Sequence, residues 1–425
     1  MAPARFHPQV VALLVALHGT IFCNAVVTRD GGLSYVTPDY NVQNSGRGPS
    51  NQPGDSVICR ELVLSRGYPC EDHSVTTKEG FVLALQRIPG GKQAGSEGWE
   101  EPPQQRPPVL LMHGILQGGD SWLLNFPAEN TLALTLADAG FNVFLGNFRG
   151  ARWSNHTTLP RSDKRYWDWS WEDLAKDDLP ALLRYVHDLA QAKVLYVGHS
   201  QGTLTLLAAL AEDSGVAPLL SRAVLLCPIA YLGHITSAFL RVFSRIYLDT
   251  AVRDSGLYEF NINSALVERM AGQACAHEGV RCNSILASVT GPNCCISMDR
   301  LAFFFQYEFQ STSVKNLAHL AQMIRTGRFA KYDYGWVGNL RRYFRLSPPA
   351  YDLRRIPSSL PMLIAYGGMD ALSDPLDVHR LRADLVNAPQ TLYVPHYAHG
   401  DFILGKTAKE EVYDKVSRFL WRTPI

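Results

Sequence analysis

The sequence shows no surplus of charge of either sign. Forty lysines and arginines stand against thirty-nine aspartates and glutamates, a net charge of +1. No block of lysine or arginine breaks that balance, so nothing marks nucleic acid as a partner. The chain also lacks an apolar run of membrane-spanning length, which takes roughly 20 residues. No internal repeat is visible, and the composition is neither collagen-like nor disordered. Cysteine is sparse at eight residues, and no spacing makes a zinc site. The adjacency of Cys294 and Cys295 argues against one. No metal and no cofactor are expected.

What is present is an ordinary globular composition, 46% hydrophobic and 19% charged over 425 residues. That length suits one large α/β domain with an insertion, or two domains. Arg5, the apolar run Val10 to Leu17 (VVALLVAL) and the small residues near Cys23-Asn24-Ala25 predict a signal peptide over residues 1–25. The alternative is a short buried helix. Removal of the signal would leave no transmembrane segment and place the chain in the secretory pathway, either secreted or in a vacuole- or lysosome-like lumen. Disulfides are then permitted. Cys23 would leave with the signal, and of the remaining seven cysteines at least one stays unpaired. Cys227, inside the apolar run RAVLLCPIAYL, is expected to be that buried thiol. Pairing among Cys59, Cys70, Cys275, Cys282, Cys294 and Cys295 is open. Asn155-His156-Thr157 is a sequon, making Asn155 a candidate glycosylation site.

Residues 26–54, rich in Gly, Ser, Asn and Pro, read as an extended lead-in. Two apolar-patterned runs flank Lys78-Glu79-Gly80 and predict a β-hairpin. A rhythm of strand and helix follows. PPVLLMHGI, FNVFLGNFRG, KVLYVGHS and RAVLLCPIA are short runs apolar on both faces. Helical patterns separate them, around 126–139, in SWEDLAKDDLPALLRYVHDLA and in QGTLTLLAALAED. Such strands predict a mostly parallel sheet covered on both sides. The rhythm stops near 230 and resumes near 355 with LPMLIAYGG, PLDVHRLRADLVN and QTLYVPHY. A last helix starts at Thr407, which with Glu410 fits a capping box. The predicted architecture is therefore an α/β core over 55–229 and 351–425. A largely helical, aromatic-rich cap or lid is inserted at 230–350.

One pattern in this frame carries chemistry. Gly198-His199-Ser200-Gln201-Gly202 follows a predicted strand and opens a predicted helix. Chance alone can supply Gly-x-Ser-x-Gly, but a sharp strand-to-helix turn is where a nucleophilic serine is exposed. The competing reading is a serine that merely caps the helix. A serine nucleophile needs a histidine base and an acid to orient it, in the chain order Ser, acid, His. Asp370 and Asp374 both follow a strand. Asp374 precedes Pro375 and suits a helix N-cap, which leaves Asp370 as the acid. His396 and His399 both follow the last strand, and both remain candidates on the residues alone. An oxyanion hole needs two amides, assigned to Gln201, after the nucleophile, and to Ile115, after the strand ending His113-Gly114.

The chain resembles the acid lipases, the family of gastric and lysosomal lipases and their plant relatives. The matching stretches are VTTKEGFVLALQRIP, LMHGI, VFLGNFRGARWS, WSWEDLAKDDLPALL, YVGHSQGT, TSVKNLAHLAQMIRTGRFAKYDYG, AYGGMDALSDPLDV and YAHGDFI, over about residues 57 to 420. The resemblance implies an α/β-hydrolase fold and hydrolysis of carboxylic esters of neutral lipids, triacylglycerols or steryl esters. It places nucleophile, acid and base on Ser200, Asp370 and His399, and the oxyanion donors on Ile115 and Gln201. The cysteines at 275, 282, 294 and 295 look like the plant branch, so no animal disulfide pairing is carried over. LAFFF (301–305) and FLRVF (239–243) are expected to face lipid or to form cap core, with the cap making transient contact with a lipid interface. The alternatives are a carboxylesterase on small soluble esters and a non-catalytic ligand-binding α/β-hydrolase.

Overall fold

We describe a computed structural model of the chain; it describes residues 56–92, 106–212, 214–261, 283–297, 303–304, 307 and 309–421. A nine-stranded sheet forms its centre. Strands β1 (Glu71–Thr76), β2 (Phe81–Ile88), β3 (Pro108–Met112), β4 (Asn142–Gly146), β5 (Asn155–His156), β6 (Val194–His199) and β7 (Leu220–Leu226) come first. A two-stranded pair, β8 (Glu259–Phe260) and β9 (Thr312–Ser313), stands apart from it. Strands β10 (Met362–Gly367) and β11 (Gln390–Val394) complete the main sheet. Its order is β1-β2-β4-β3-β6-β7-β10-β11, with β5 beside β2. From β4 to β11 every pairing is parallel; β1, β2 and β5 are antiparallel.

The parallel strands are apolar on both faces because helices cover both. Every residue of β3, β4, β6 and β10 is buried. Alternate side chains feed two cores. Leu110, Met112, Tyr196, Leu225 and Ile364 enter one, while Val109, Leu111, Val197, Val224 and Leu363 enter the other. On the first face lie α2 (Leu179–Ala190) and α3 (Gln201–Ala211), and on the second α1 (Leu132–Asp138). α1 begins six residues later than the helical pattern suggested. Phe126 precedes Pro127, whose ring disfavours helical backbone at Phe126, so the chain makes a separate short turn at Ala128–Asn130 first. Thr407 stands just before the last helical stretch, but its hydroxyl meets the Tyr397 hydroxyl at 2.6 Å.

The β1–β2 hairpin turns through Gly80 at φ 96°, a conformation glycine adopts without strain. A Cys59–Cys70 disulfide ties the helical turn Ile58–Val63 to the residue just before β1. Arg149, after β4, is almost fully buried. Its backbone N–H and Nε donate to Asp178 (2.8 Å each), and Nη1 donates to Glu79 (2.7 Å). This ion pair links the hairpin, the β4 loop and the helix leading into α2.

Between β7 and β10 the chain leaves the sheet. Helices α4 (Ala238–Arg245), α5 (Leu248–Asp254), α6 (Asn283–Thr290), α7 (Val314–Thr326) and α8 (Gly335–Tyr343) occupy this interval. α7 is the anchor. Its N-cap Ser313 donates to the Trp167 carbonyl (2.6 Å), and Lys315 reaches Asp168 (2.8 Å). His319 stacks on Trp171, ring centroids 4.1 Å apart. Of the LAFFF stretch, Phe304 is buried in the second core and does not face lipid; Leu301, Ala302 and Phe305 lie outside the described residues. In FLRVF, Phe239 and Val242 are exposed. Residues 1–25 and 26–54, with Cys275 and Cys282, also lie outside the described residues. Among the described residues no helix is long and apolar enough to cross a membrane.

Candidate active site

Ser200 ends β6 and opens α3 at φ 51°, ψ −116°, a region that L-residues rarely occupy. Such a backbone costs on the order of 1–3 kcal/mol and holds only where its surroundings enforce it. Here the Ser200 N–H donates to the Leu226 carbonyl (3.0 Å), and Thr203 Oγ1 donates to the Ser200 carbonyl (2.6 Å). The flanking glycines are required by contact. A Cβ on Gly198 would lie 2.8 Å from the Gly202 carbonyl carbon, and one on Gly202 would press into the Met112 carbonyl. Gly114 serves the same end from the β3 loop, where a Cβ would sit 3.1 Å from Ser200 Cβ.

Asp370 and His399 come from the loops after β10 and β11. His399 Nδ1 lies 2.9 and 3.1 Å from the two Asp370 carboxylate oxygens, with both side chains buried. Asp370 Oδ1 also accepts from the backbone N–H groups of Leu372 and Ser373, each at 2.8 Å. Burial alone would raise the Asp370 pKa. The His399 imidazole and these donors outweigh burial and hold the carboxyl below its usual range. Asp374 instead caps α9 (Pro375–Asp384), accepting from Leu376 N–H at 2.8 Å. His396 is exposed, with its ring against Tyr397.

The end of α6 and the residues after it hold both loops. The Thr290 carbonyl accepts from His399 N–H (3.1 Å) and Ala371 N–H (3.3 Å), and Asn293 Oδ1 accepts from Gly400 N–H (3.0 Å). Asp401, fully buried, accepts from the N–H groups of Ala398 (2.8 Å), Cys294 (3.1 Å) and Cys295 (3.0 Å). Cys294 and Cys295 are disulfide-bonded to each other. Thr290, Asn293 and Asp401 are contributors that no local sequence pattern marks. Asp401 falls in the matching stretch YAHGDFI, yet nothing local could pair it with a loop more than a hundred residues earlier.

Ile115 follows Gly114 in a turn, and Gln201 is the first residue of α3. The Gln201 side chain accepts from Asn316 Nδ2 of α7 (2.7 Å), which ties the interval between β7 and β10 to the elbow. Gln117 Oε1 accepts from Gly114 N–H (2.7 Å) and lies 3.2 Å from His199 Nδ1. His199 Nε2 lies 3.3 Å from the His399 carbonyl. Burial lowers the His199 pKa to about 3 and that of His113 to about 4, so both imidazoles are neutral. His113 shows the matching tautomer: Nδ1 donates to the Gly114 carbonyl (2.8 Å) and Nε2 accepts from Phe148 N–H (3.1 Å). Asn155 lies in β5, opposite Val82, away from this cluster.

His199, Cys227 and His399 offer ligand atoms within 4.8 Å of one another, as do Cys294, Cys295 and His396. In the first group burial pushes the Cys227 thiol up, away from the thiolate a metal needs, and His399 Nδ1 is committed to Asp370. In the second the two sulfurs are bonded to each other. Cys227 is a free, buried thiol, as its apolar run predicts.

Strand order, helices on both faces and a strained serine at a strand-to-helix turn define an α/β-hydrolase. Residues 107–406 match the α/β hydrolase fold family, and residues 59–126 match the partial α/β-hydrolase lipase region. The chain is 43% identical to triacylglycerol lipase 1 of Arabidopsis thaliana over 85% of its own length and 90% of that protein's. It is 32% identical to human gastric triacylglycerol lipase over 86% of its length and 91% of that protein's. Among solved structures, a soluble variant of monoglyceride lipase from Saccharomyces cerevisiae shares the fold. Its TM-score is 0.51 at 15% identity, covering 82% of this chain and 94% of that one. The chain belongs to the acid-lipase family of gastric, lysosomal and plant lipases and is an ester-hydrolysing serine hydrolase.

Proposed function

We propose that the protein hydrolyses neutral lipid esters, triacylglycerols or steryl esters, with Ser200 as nucleophile, His399 as base and Asp370 as the orienting acid. The observation that carries the reading is the buried Asp370–His399 pair, on loops that meet the strained Ser200 turn. Asp370 bound to Nδ1 fixes the imidazole tautomer, so that Nε2 is the free acceptor for the Ser200 proton. Ser200 Oγ attacks the ester carbonyl, and the oxyanion is held by the amides of Ile115 and Gln201. His399 then protonates the departing alcohol. Water, deprotonated by His399, attacks the acyl-enzyme and releases the fatty acid. Each oxyanion donor contributes roughly 3–4 kcal/mol in the transition state. Triacylglycerol lipases of 43% and 40% identity along most of the chain support the substrate class.

The same reading places the protein in the secretory pathway after removal of residues 1–25, with Asn155 glycosylated. Mass spectrometry of the protein purified from its native source tests both features. For activity, wild-type and Ser200→Ala proteins are compared on emulsified triacylglycerol and on a soluble short-chain ester. Loss of roughly 10⁶-fold in kcat for Ser200→Ala, with wild type preferring the emulsion, is the expected result. Equal activity of the two proteins overturns the assignment of Ser200. A preference for the soluble ester overturns the lipid substrate class.

A further inference from the structure

Eleven of the nineteen large hydrophobic side chains that are exposed among the described residues lie between β7 and β10. Five of them fall on α8 and the residues just after it: Trp336 (69% exposed), Val337 (39%), Leu340 (48%), Phe344 (86%) and Leu346 (68%). Trp336, Val337 and Leu340 share one face of the helix, at spacings of one and four residues. Polar side chains hold the helix to the rest of the protein. Asn339, 1% exposed, accepts from Tyr334 N–H (3.0 Å) and donates to Asp333 (2.7 Å) and to the Leu346 carbonyl (3.1 Å). Tyr343 donates to the Tyr332 carbonyl at 3.0 Å. The helix is thus held by its amide, while the Trp336 indole and, just past the helix end, the Phe344 ring stay outward beside the exposed Arg341 and Arg342.

Charge identifies what the outward face meets. Residues 332–346 carry Arg341, Arg342 and Arg345 against a single carboxylate, Asp333, in a chain whose overall net charge is +1. Arg341 and Arg345 are exposed, and the Arg342 guanidinium lies 4.9 Å from the Tyr334 ring centre. Aromatic and branched side chains bordered by arginines are the composition of a helix that lies in a lipid interface bearing negative charge. A second copy of the chain fits poorly, because pairing two such faces would bring two sets of arginines together.

We propose that α8 and the residues to Leu346 dock the protein on an anionic lipid surface, with Trp336, Phe344 and Leu346 inserted and the arginines at the headgroups. The proposal rests on the lipase reading for its purpose but not for its test, because binding needs no turnover. The test is co-sedimentation of Ser200→Ala protein with vesicles of phosphatidylcholine, pure or doped with phosphatidylglycerol. Tighter binding to the doped vesicles, weakened by salt, is expected. In the same protein, W336A/F344A/L346A and R341Q/R342Q/R345Q should each weaken that binding by about tenfold or more. The same substitutions in the Ser200 protein should leave turnover of a soluble short-chain ester unchanged, which reports an intact fold. Binding by the variants equal to the parent's, or no preference for the doped vesicles, overturns the proposal. So does a concentration-dependent dimer abolished by F344A, which would make the face a contact between copies.

Discussion

The side chains at the elbow differ in what they contribute, and substitution separates them. Asp370→Asn keeps the shape but favours the wrong imidazole tautomer, so kcat should fall by about 10⁴-fold with little change in KM, read from steady-state kinetics on a soluble ester. Gly202→Ala should fail earlier. Its Cβ meets the backbone carbonyl of Met112, which cannot swing aside as a side chain could, so a lowered melting temperature should accompany lost activity. Arg149 and Asp178 carry a different risk. Arg149 keeps Glu79 if Asp178 is lost, but removing Arg149 strands the buried Asp178, so Arg149→Ala should cost about 3–5 kcal/mol in denaturant unfolding.

Among the elements, the loop after α6 governs how well the histidine is held. Asp401 touches no reacting atom in the proposed mechanism; it is a positioning residue that joins the His399 loop to Cys294 and Cys295. Asp401→Asn puts an amide N–H where carboxylate oxygens now receive three N–H groups. We expect kcat on a soluble ester to fall by roughly tenfold to a hundredfold at unchanged KM. A loss confined to thermal stability would show a purely structural role. The strands of the sheet were legible in the sequence because burial on both faces forces unbroken apolar runs, as in VLYVGH and PMLIAY. The start of α1 was not, because Pro127 lies within an otherwise helical pattern. Ser200, Asp370 and His399 could be named from strand-to-loop order and family resemblance. Asn316, Asn293 and Thr290 could not, because their partners Gln201, Gly400 and His399 lie about a hundred residues away and leave no local periodicity.

For the whole molecule, buried neutral histidines set the response to acid. Burial lowers the pKa of His113 to about 4 and those of His199 and His319 to about 3. In the unfolded chain each takes up a proton near pH 6.5. Between those values the unfolded state binds more protons, so stability rises with pH and falls as pH drops below about 6.5. Each histidine removes up to about 2 kcal/mol by pH 5. Carboxyls whose pKa desolvation raises, the half-buried Glu172 and the buried Asp401 among them, act in the opposite sense because the fold holds their protons to higher pH. Denaturant unfolding at pH 7 and pH 5 should show lower stability at pH 5, and His319→Gln should flatten the difference. Equal stability at both pH values, unaltered by His319→Gln, would mean that this imidazole does not resist protonation in the fold.

In the proposed mechanism Ser200, activated through His399 and Asp370, forms the acyl-enzyme. Peptide mass spectrometry after labelling with a fluorophosphonate tests it most directly. A single adduct on Ser200 is expected, its extent tracking the loss of triacylglycerol hydrolysis, with little labelling in His399→Ala. An adduct on another residue, or full hydrolysis by protein completely modified at Ser200, would contradict it.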